Sequence, residues 1–313
     1  MHPDRIVSVI DIGSNSIKSL VATRDGAGGV AALQSHALDA RISAGIGGSR
    51  PQLSEAGMAR GLAAIEELLR DAAPFKPGRT VLVATSAVRD AANGAEFRRR
   101  VQARTGHEIR ILTGDAEARL IGRGLISDAE LIGLSDFYVF DLGGGSLECL
   151  AFRARALEQS LSLRLGCVRL TEQCVDDPSA PLGAAGLIRI EEACRGALAS
   201  SGFRFDLPAG AEAVFAGGTM TTARAILAAR DGRAMADFPS RIAVGALRAL
   251  RDEVAALSLE QRRQVPGLPP ARADVFPAAL TTVLAIADCG GFAAFHHSLR
   301  NLRYGLADEA LPR

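Results

Sequence analysis

Cysteine is scarce in this chain and follows no pairing pattern. The five residues Cys149, Cys167, Cys174, Cys194 and Cys289 are odd in number and include no CxxC, which argues against a disulfide framework and against a structural zinc site. They read as reduced core residues of a cytoplasmic protein. Long hydrophobic runs are also missing. The N-terminal run Ile6 to Ile10 stops at Asp11, too short for a signal-peptide core, and no run reaches the roughly 18 residues needed to span a bilayer. Charge of one sign is absent in bulk. Thirty-six basic and 35 acidic residues leave a formal net charge of +1, so no global field draws the chain to nucleic acid or anionic lipid. Tryptophan is absent and aromatics amount to only 4 %.

What is present is glycine, 33 residues of it, which implies many tight turns or close backbone approaches. The glycines concentrate at Gly45 to Gly48, at Gly143 to Gly145 and at Gly217 and Gly218. The length of 313 residues, with 48 % hydrophobic and 23 % charged residues, fits two globular domains at about 150 residues each. An internal repeat bears on the architecture. Ile6 to Ile10, DIGSNS (Asp11 to Ser16) and Ile17 to Ala22 resemble Phe137 to Phe140, DLGGGS (Asp141 to Ser146) and Leu147 to Phe152. Each copy is a strand ending in Asp, a polar glycine turn and a second strand. Two related domains facing each other would produce this.

Between and after the copies, strands alternate with helices, which predicts an α/β class. Ser54 caps a helix through Leu69, with Met58, Leu62, Ile65, Leu68 and Leu69 at helical spacing. Strands are expected at Thr80 to Ala84 and His107 to Leu112. Helices are expected at Gly94 to Ala103, Asp115 to Leu125, Gly183 to Ala199, Thr219 to Ala229, Val244 to Leu257 and Val275 to Phe295, and Val265 to Pro270 reads as a loop.

The Asp-turn repeats can serve as phosphate cradles. A carboxylate at a strand end can hold Mg²⁺, usually through water, while a glycine and serine turn lets backbone N–H groups and hydroxyls reach phosphate oxygens. Asp11 and Asp141 are the metal candidates, and Gly13, Ser14, Asn15, Gly143, Gly144, Gly145 and Ser146 would line the oxygens. Gly217, Gly218 and Thr219 open a helix whose N-terminus would face an anion. Any one of these turns alone could merely close a hairpin. The chain has no GxxxxGK[ST], no GxGxxG after a strand and no GxSxG, so P-loop, dinucleotide and nucleophile-elbow readings fail.

Taken in order, DIGSNS, ATSAVRDA (Ala84 to Ala91), LTGDAEARLIGRG (Leu112 to Gly124), VFDLGGGSLE (Val139 to Glu148), LGCVRLTE (Leu165 to Glu172), GGTMTTARA (Gly217 to Ala225) and ARADV (Ala271 to Val275) resemble the exopolyphosphatase and guanosine pentaphosphate phosphohydrolase family. The resemblance covers essentially the whole chain. It implies two actin-like (ribonuclease H-like) domains flanking a central cleft, of the superfamily that holds actin, sugar kinases and heat-shock chaperones. The first would span residues 1–123, with a C-terminal helix in 300–313 packing back on it, and the second residues 124–299. It further implies Glu117 as the water-activating glutamate, Glu148 as a second acid assisting metal or water, and Arg89 as a clamp on phosphate oxygens. On residues alone Glu117 is an ordinary helix carboxylate. Two departures stand out: Tyr304 in NLRYGL occupies a place where the family commonly has an acid, and the chain ends at Arg313, as a short-form member would.

The remaining singletons read as structural. His296 and His297 are neighbours expected to diverge from the end of a helix, unlike an i, i+4 zinc pair. Arg98 to Arg100 reads as a solvated helix end or a rim for polyphosphate, and Arg119 and Arg123 either line the cleft or pair with acids. The expectation is a cytoplasmic hydrolase dependent on Mg²⁺ or Mn²⁺ that removes the terminal phosphate of inorganic polyphosphate. The alternatives are guanosine pentaphosphate (pppGpp) as substrate, a kinase of the same fold, or a non-catalytic nucleotide-binding module. No nucleic acid or membrane partner is expected, a homodimer remains open, and no helix-turn-helix precedes the first strand.

Overall fold

A computed structural model describes residues 5–43 and 51–312; the Gly45 to Gly48 segment lies outside them. The chain divides into two compact units, Met1–Ile132 with Arg300–Arg313, and Gly133–Leu299. The division falls after Ile132 and not after Arg123, because the helix carrying Arg123 runs unbroken to Ile126.

The first unit opens with the first copy of the repeat. Strands β1 (Val7–Ile12), β2 (Ile17–Arg24) and β3 (Val30–Leu38) form an antiparallel meander, followed by α1 (Glu55–Ala72). Ser54 caps α1 by accepting from the Gly57 amide at 3.0 Å, the role its sequence position predicts. Parallel strands β4 (Arg79–Ala84) and β5 (Ile109–Ile111) extend the sheet to the order β3-β2-β1-β4-β5. Helices α2 (Ser86–Asp90), α3 (Gly94–Thr105) and α4 (Gly114–Ile126) complete the run. An aliphatic core of Ile10, Ile12, Ile17, Ile65 and Leu68, with Phe97 its one aromatic side chain, fills the space between sheet and helices.

The second unit repeats the pattern. β6 (Phe137–Leu142), β7 (Leu147–Arg153) and β8 (Ala156–Leu163) form the meander, and α5 (Cys167–Cys174) and α6 (Ala184–Ser200) follow. Next come β9 (Glu212–Ala216), α7 (Gly218–Arg230), β10 (Arg241–Ala243), α8 (Val244–Ala256), α9 (Leu259–Arg262), α10 (Phe276–Gly290) and β11 (Ala294–Ser298), giving the sheet order β10-β11-β9-β6-β7-β8. Five strands of this sheet reproduce the first, and β10 is an added edge. This core is aromatic: Tyr138, Phe140, Phe203, Phe205, Phe215, Phe292 and Phe295 form one connected ring cluster, drawing half of the chain's 12 Phe and 2 Tyr.

The helix expected over Val275 to Phe295 ends at Gly290, because Gly291 takes the left-handed conformation at φ 67° that caps it. His296 and His297 therefore lie in strand β11, where alternation sends one to Glu212 and the other to the Thr221 hydroxyl at 3.1 Å. Arg98 pairs with Glu108 at 2.6 Å, and Arg100 with Glu55 and Glu96, so these two arginines of the run are engaged in the surface they cover. Four of the five cysteines are buried and Cys289 is exposed. No helix among the described residues is long and apolar enough to cross a membrane.

Helix α11 (Leu302–Ala310) returns to the first unit and crosses α4 at close range. A Cβ on Gly305 would overlap the Leu120 carbonyl, and one on Gly124 would overlap the Asn301 carbonyl. Asp308 of α11 accepts from both Arg24 and Arg123, which assigns Arg123 to a structural pair. Because α4 carries Glu117, this crossing also sets the position of that carboxylate. Gly305→Ala is expected to destabilise the protein by about 1–3 kcal/mol through overpacking, read as a lowered urea midpoint with an unchanged m-value.

Candidate active site

In the first unit the site is built around the turn between β1 and β2. A Cβ on Gly13 would sit 2.9 Å from the Ser16 carbonyl, so the bend needs a bare backbone here. The carbonyl of Ser14 accepts from the Ser43 amide at 3.3 Å, and that of Asn15 from the Arg41 amide at 2.8 Å. A planar trans peptide points its N–H opposite to its C=O, so the amides of Asn15 and Ser16 are aimed away from the 41–43 segment. The Ser14 hydroxyl meets that of Ser86, at the start of α2, at 3.3 Å.

Arg89, one turn further along α2, donates through Nη1 to Glu117 at 2.8 Å and to the Leu112 carbonyl at 3.1 Å. Thr113 caps α4 by accepting from Ala116 at 3.2 Å, and this places Glu117 in the first turn, where the helix dipole favours a carboxylate. The Glu117 side chain is only 7 % exposed and that of Arg89 22 %. The structure thus pairs two residues that the sequence assigned to separate tasks.

In the second unit the turn between β6 and β7 has the same design with different parts. The amides of Cys167, Val168 and Arg169, at the start of α5, donate to the carbonyls of Gly143 and Gly144 at 2.9–3.2 Å. Arg169 adds a bond from Nε to the Gly145 carbonyl at 3.1 Å. Gly166 permits this approach, since a Cβ there would overlap the Gly144–Gly145 peptide. With three carbonyls drawn toward α5, the N–H groups of Gly144, Gly145 and Ser146 face the opposite way. Consecutive amides aimed into one concavity form an anion nest.

Asp141 and Glu148 stand directly across from each other on β6 and β7, and both are buried. Glu148 accepts from the Ser162 hydroxyl at 2.7 Å. Gly217 adopts φ 87°, and a Cβ there would overlap Asp141 Oδ1; a Cβ on Gly218 would overlap the Arg272 guanidinium. The glycine pair thus makes room for a carboxylate and a guanidinium at the start of α7. Thr219 is fully buried, and its hydroxyl lies 3.4 Å from Arg272 Nη2. Arg272 carried no assigned role in the sequence. Its only signal was the ARADV segment, and its place on Gly218 comes from tertiary packing.

Among the described residues no cluster of three or more His, Cys, Asp or Glu side chains has a metal-binding arrangement. Mg²⁺ does not need one, since it keeps several waters and takes one or two carboxylates plus substrate oxygens. Two observations fit such an ion. Asp141 and Glu148 are directly opposed cross-strand neighbours whose side chains leave the sheet on one face, within reach of one ion. Asp11, opposite Lys18 on β2, has a buried Oδ1 with no hydrogen-bond partner among the described residues.

Burial pushes the Asp11 carboxyl up from its ordinary value, and the Lys18 and Arg303 charges only partly offset this. In the window between the ordinary and the raised value the folded state holds a proton the unfolded state has lost, so stability falls as pH rises through it. Asp11→Asn is therefore expected to raise the melting temperature at pH 7, with the gain shrinking below pH 4. Calorimetry at the two pH values checks this.

The sequence model of the Ppx/GppA phosphatase family matches residues 20–313. Among solved structures, the Aquifex aeolicus member of that family is 22 % identical with a TM-score of 0.77, covering 97 % of this chain and 96 % of its own. An exopolyphosphatase from Cytophaga hutchinsonii is 20 % identical with a TM-score of 0.85, covering 97 % and 98 %. These likenesses show that the chain shares their fold.

Proposed function

The chain belongs to the Ppx/GppA phosphatase family, and from that premise we propose that it hydrolyses the terminal phosphoanhydride of inorganic polyphosphate, releasing orthophosphate. The observation that carries the proposal is the buried Glu117 held by Arg89 at 2.8 Å. Its role is that of general base: a carboxylate oxygen accepts a proton from the attacking water as the water oxygen bonds to the terminal phosphorus. The bond from that phosphorus to the bridging oxygen breaks, and the shortened chain leaves as the anion.

Arg89 orients Glu117 through the 2.8 Å contact, and its second terminal nitrogen serves a phosphate oxygen. In each unit the outward amides of the Asp-turn, joined in the second unit by Arg272, are groups able to bind phosphoryl oxygens. Asp11 in the first unit, and Asp141 with Glu148 in the second, are the carboxylates that would hold Mg²⁺ or Mn²⁺ in their own units. When bound, such an ion neutralises phosphoryl charge as a Lewis acid.

Orthophosphate release from polyphosphate and from pppGpp, with Mg²⁺ and no acceptor, is the test. The proposal expects turnover of polyphosphate with the higher kcat/KM. Preference for pppGpp would move the substrate within the family, and phosphorylation of an acceptor without orthophosphate release would mean a kinase.

A further inference from the structure

Among the described residues Arg262 is the largest fully buried side chain, 1 % exposed; it forms no ion-pair contact with a carboxylate there, and the charges of Asp274 and Asp177 act on it only at longer range. A cation so placed is costly to bury unless its donors are used. Nη1 donates to the Ala273 carbonyl at 3.0 Å, and Nη2 donates to the Pro178 and Ala180 carbonyls at 2.7 and 2.9 Å. Nε is buried without a partner among the described residues. The guanidinium fork therefore ties three segments together: α9, the 178–180 loop and the short turn Pro270–Arg272 with the residues after it.

Ala273 is the residue between Arg272 and Asp274. The segment has little regular structure of its own, a single 3-10 turn at Pro270–Arg272. Its register is nonetheless demanding, because the Arg272 guanidinium occupies the space a Cβ of Gly218 would fill, with Thr219 at 3.4 Å. The 272–274 backbone is the base from which the Arg272 side chain reaches the start of α7, so the placement of that backbone governs where the guanidinium can sit.

We propose that Arg262 is a positioning residue for substrate binding: by holding the Ala273 carbonyl it fixes Arg272 at the phosphate site of the second unit. This rests on the reading of that site given above. Arg262 touches no substrate. It acts through the backbone, and a side chain of equal volume without donors does not replace it, because three carbonyls would lose their partner. Lysine, with one donating group in place of a fork, does so only in part.

The test compares Arg262→Met, Arg262→Lys, Arg272→Ala and the double variant Arg262→Met with Arg272→Ala, in the full chain. Arg262→Met is expected to raise KM for polyphosphate about tenfold with kcat within about threefold, as Arg272→Ala does, because a charge-assisted contact is lost in both. The double variant is expected to be no worse than Arg272→Ala, the non-additivity of two residues acting through one. Arg262→Lys is expected to fall between wild type and Arg262→Met. Amide exchange of Ala273 to Val275 is expected to accelerate in both Arg262 variants relative to the strand β6 amides.

Multiplicative effects in the double variant, or a wild-type KM in a folded Arg262 variant, overturn the proposal. Should Arg262→Met fail to fold, Arg262→Lys carries the same decision. The exchange measurement needs no turnover: an absence of orthophosphate release by wild type would count against the hydrolase reading, whereas unchanged exchange in Arg262→Lys would count against the positioning role.

Discussion

Glu117→Gln is expected to lower kcat for orthophosphate release by about a hundred- to ten-thousandfold, the usual range for removing a general base, while KM for polyphosphate stays within about threefold. The amide oxygen of glutamine can still accept from Arg89, so the contact now 2.8 Å long survives in neutral form. Stability should change by no more than about 1–2 kcal/mol. This separation of rate from stability distinguishes a base from a structural acid. Glu117→Ala differs, because it strips the partner from a guanidinium only 22 % exposed. It should lower the melting temperature as well as the rate. Steady-state kinetics beside thermal melts of the two variants gives the comparison.

Gly217→Ala is expected to reduce activity by about a hundredfold or more and to cost about 1–2 kcal/mol of stability. The stability cost is that of a non-glycine residue at φ 87°. The activity cost has a different origin, since the added Cβ overlaps Asp141 Oδ1 and turns that carboxylate out of place. Misplacing a positioned group by about 1 Å can cost this much. Gly210 provides the control: its φ is 89°, yet nothing lies within 4 Å of an added Cβ. Gly210→Ala should show a comparable stability loss with near-wild-type kcat. Equal activity losses in the two variants would assign the effect to general backbone strain.

The two Asp-turns were legible in the sequence because their signals are local: an apolar run, an acid, a glycine turn and a second run. Most helices were legible from their 3.6-residue periodicity, and α1 also from its Ser54 cap. Helix α5 was not, since its start at Gly166 has no capping side chain and its first amides are satisfied by a turn more than 20 residues earlier in the chain. Strand β11 was hidden at the end of an apolar stretch, where only Gly290 and Gly291 marked the break. The pairing of Arg89 with Glu117, the seat of Arg272 on Gly218 and the clamp at Arg262 all depend on segments brought together by packing. No periodicity or spacing encodes them.

Hydrolysis of polyphosphate in ¹⁸O-labelled water, followed by mass analysis of the products, addresses the chemistry at the centre of this account. Water attack on the terminal phosphorus under the control of Glu117 predicts one labelled oxygen in each orthophosphate released by wild type, none in the shortened chain from the same turnover, and a Glu117→Gln variant that binds tripolyphosphate yet releases almost no label. Label in the shortened chain, or label released by Glu117→Gln at the wild-type rate, would contradict it.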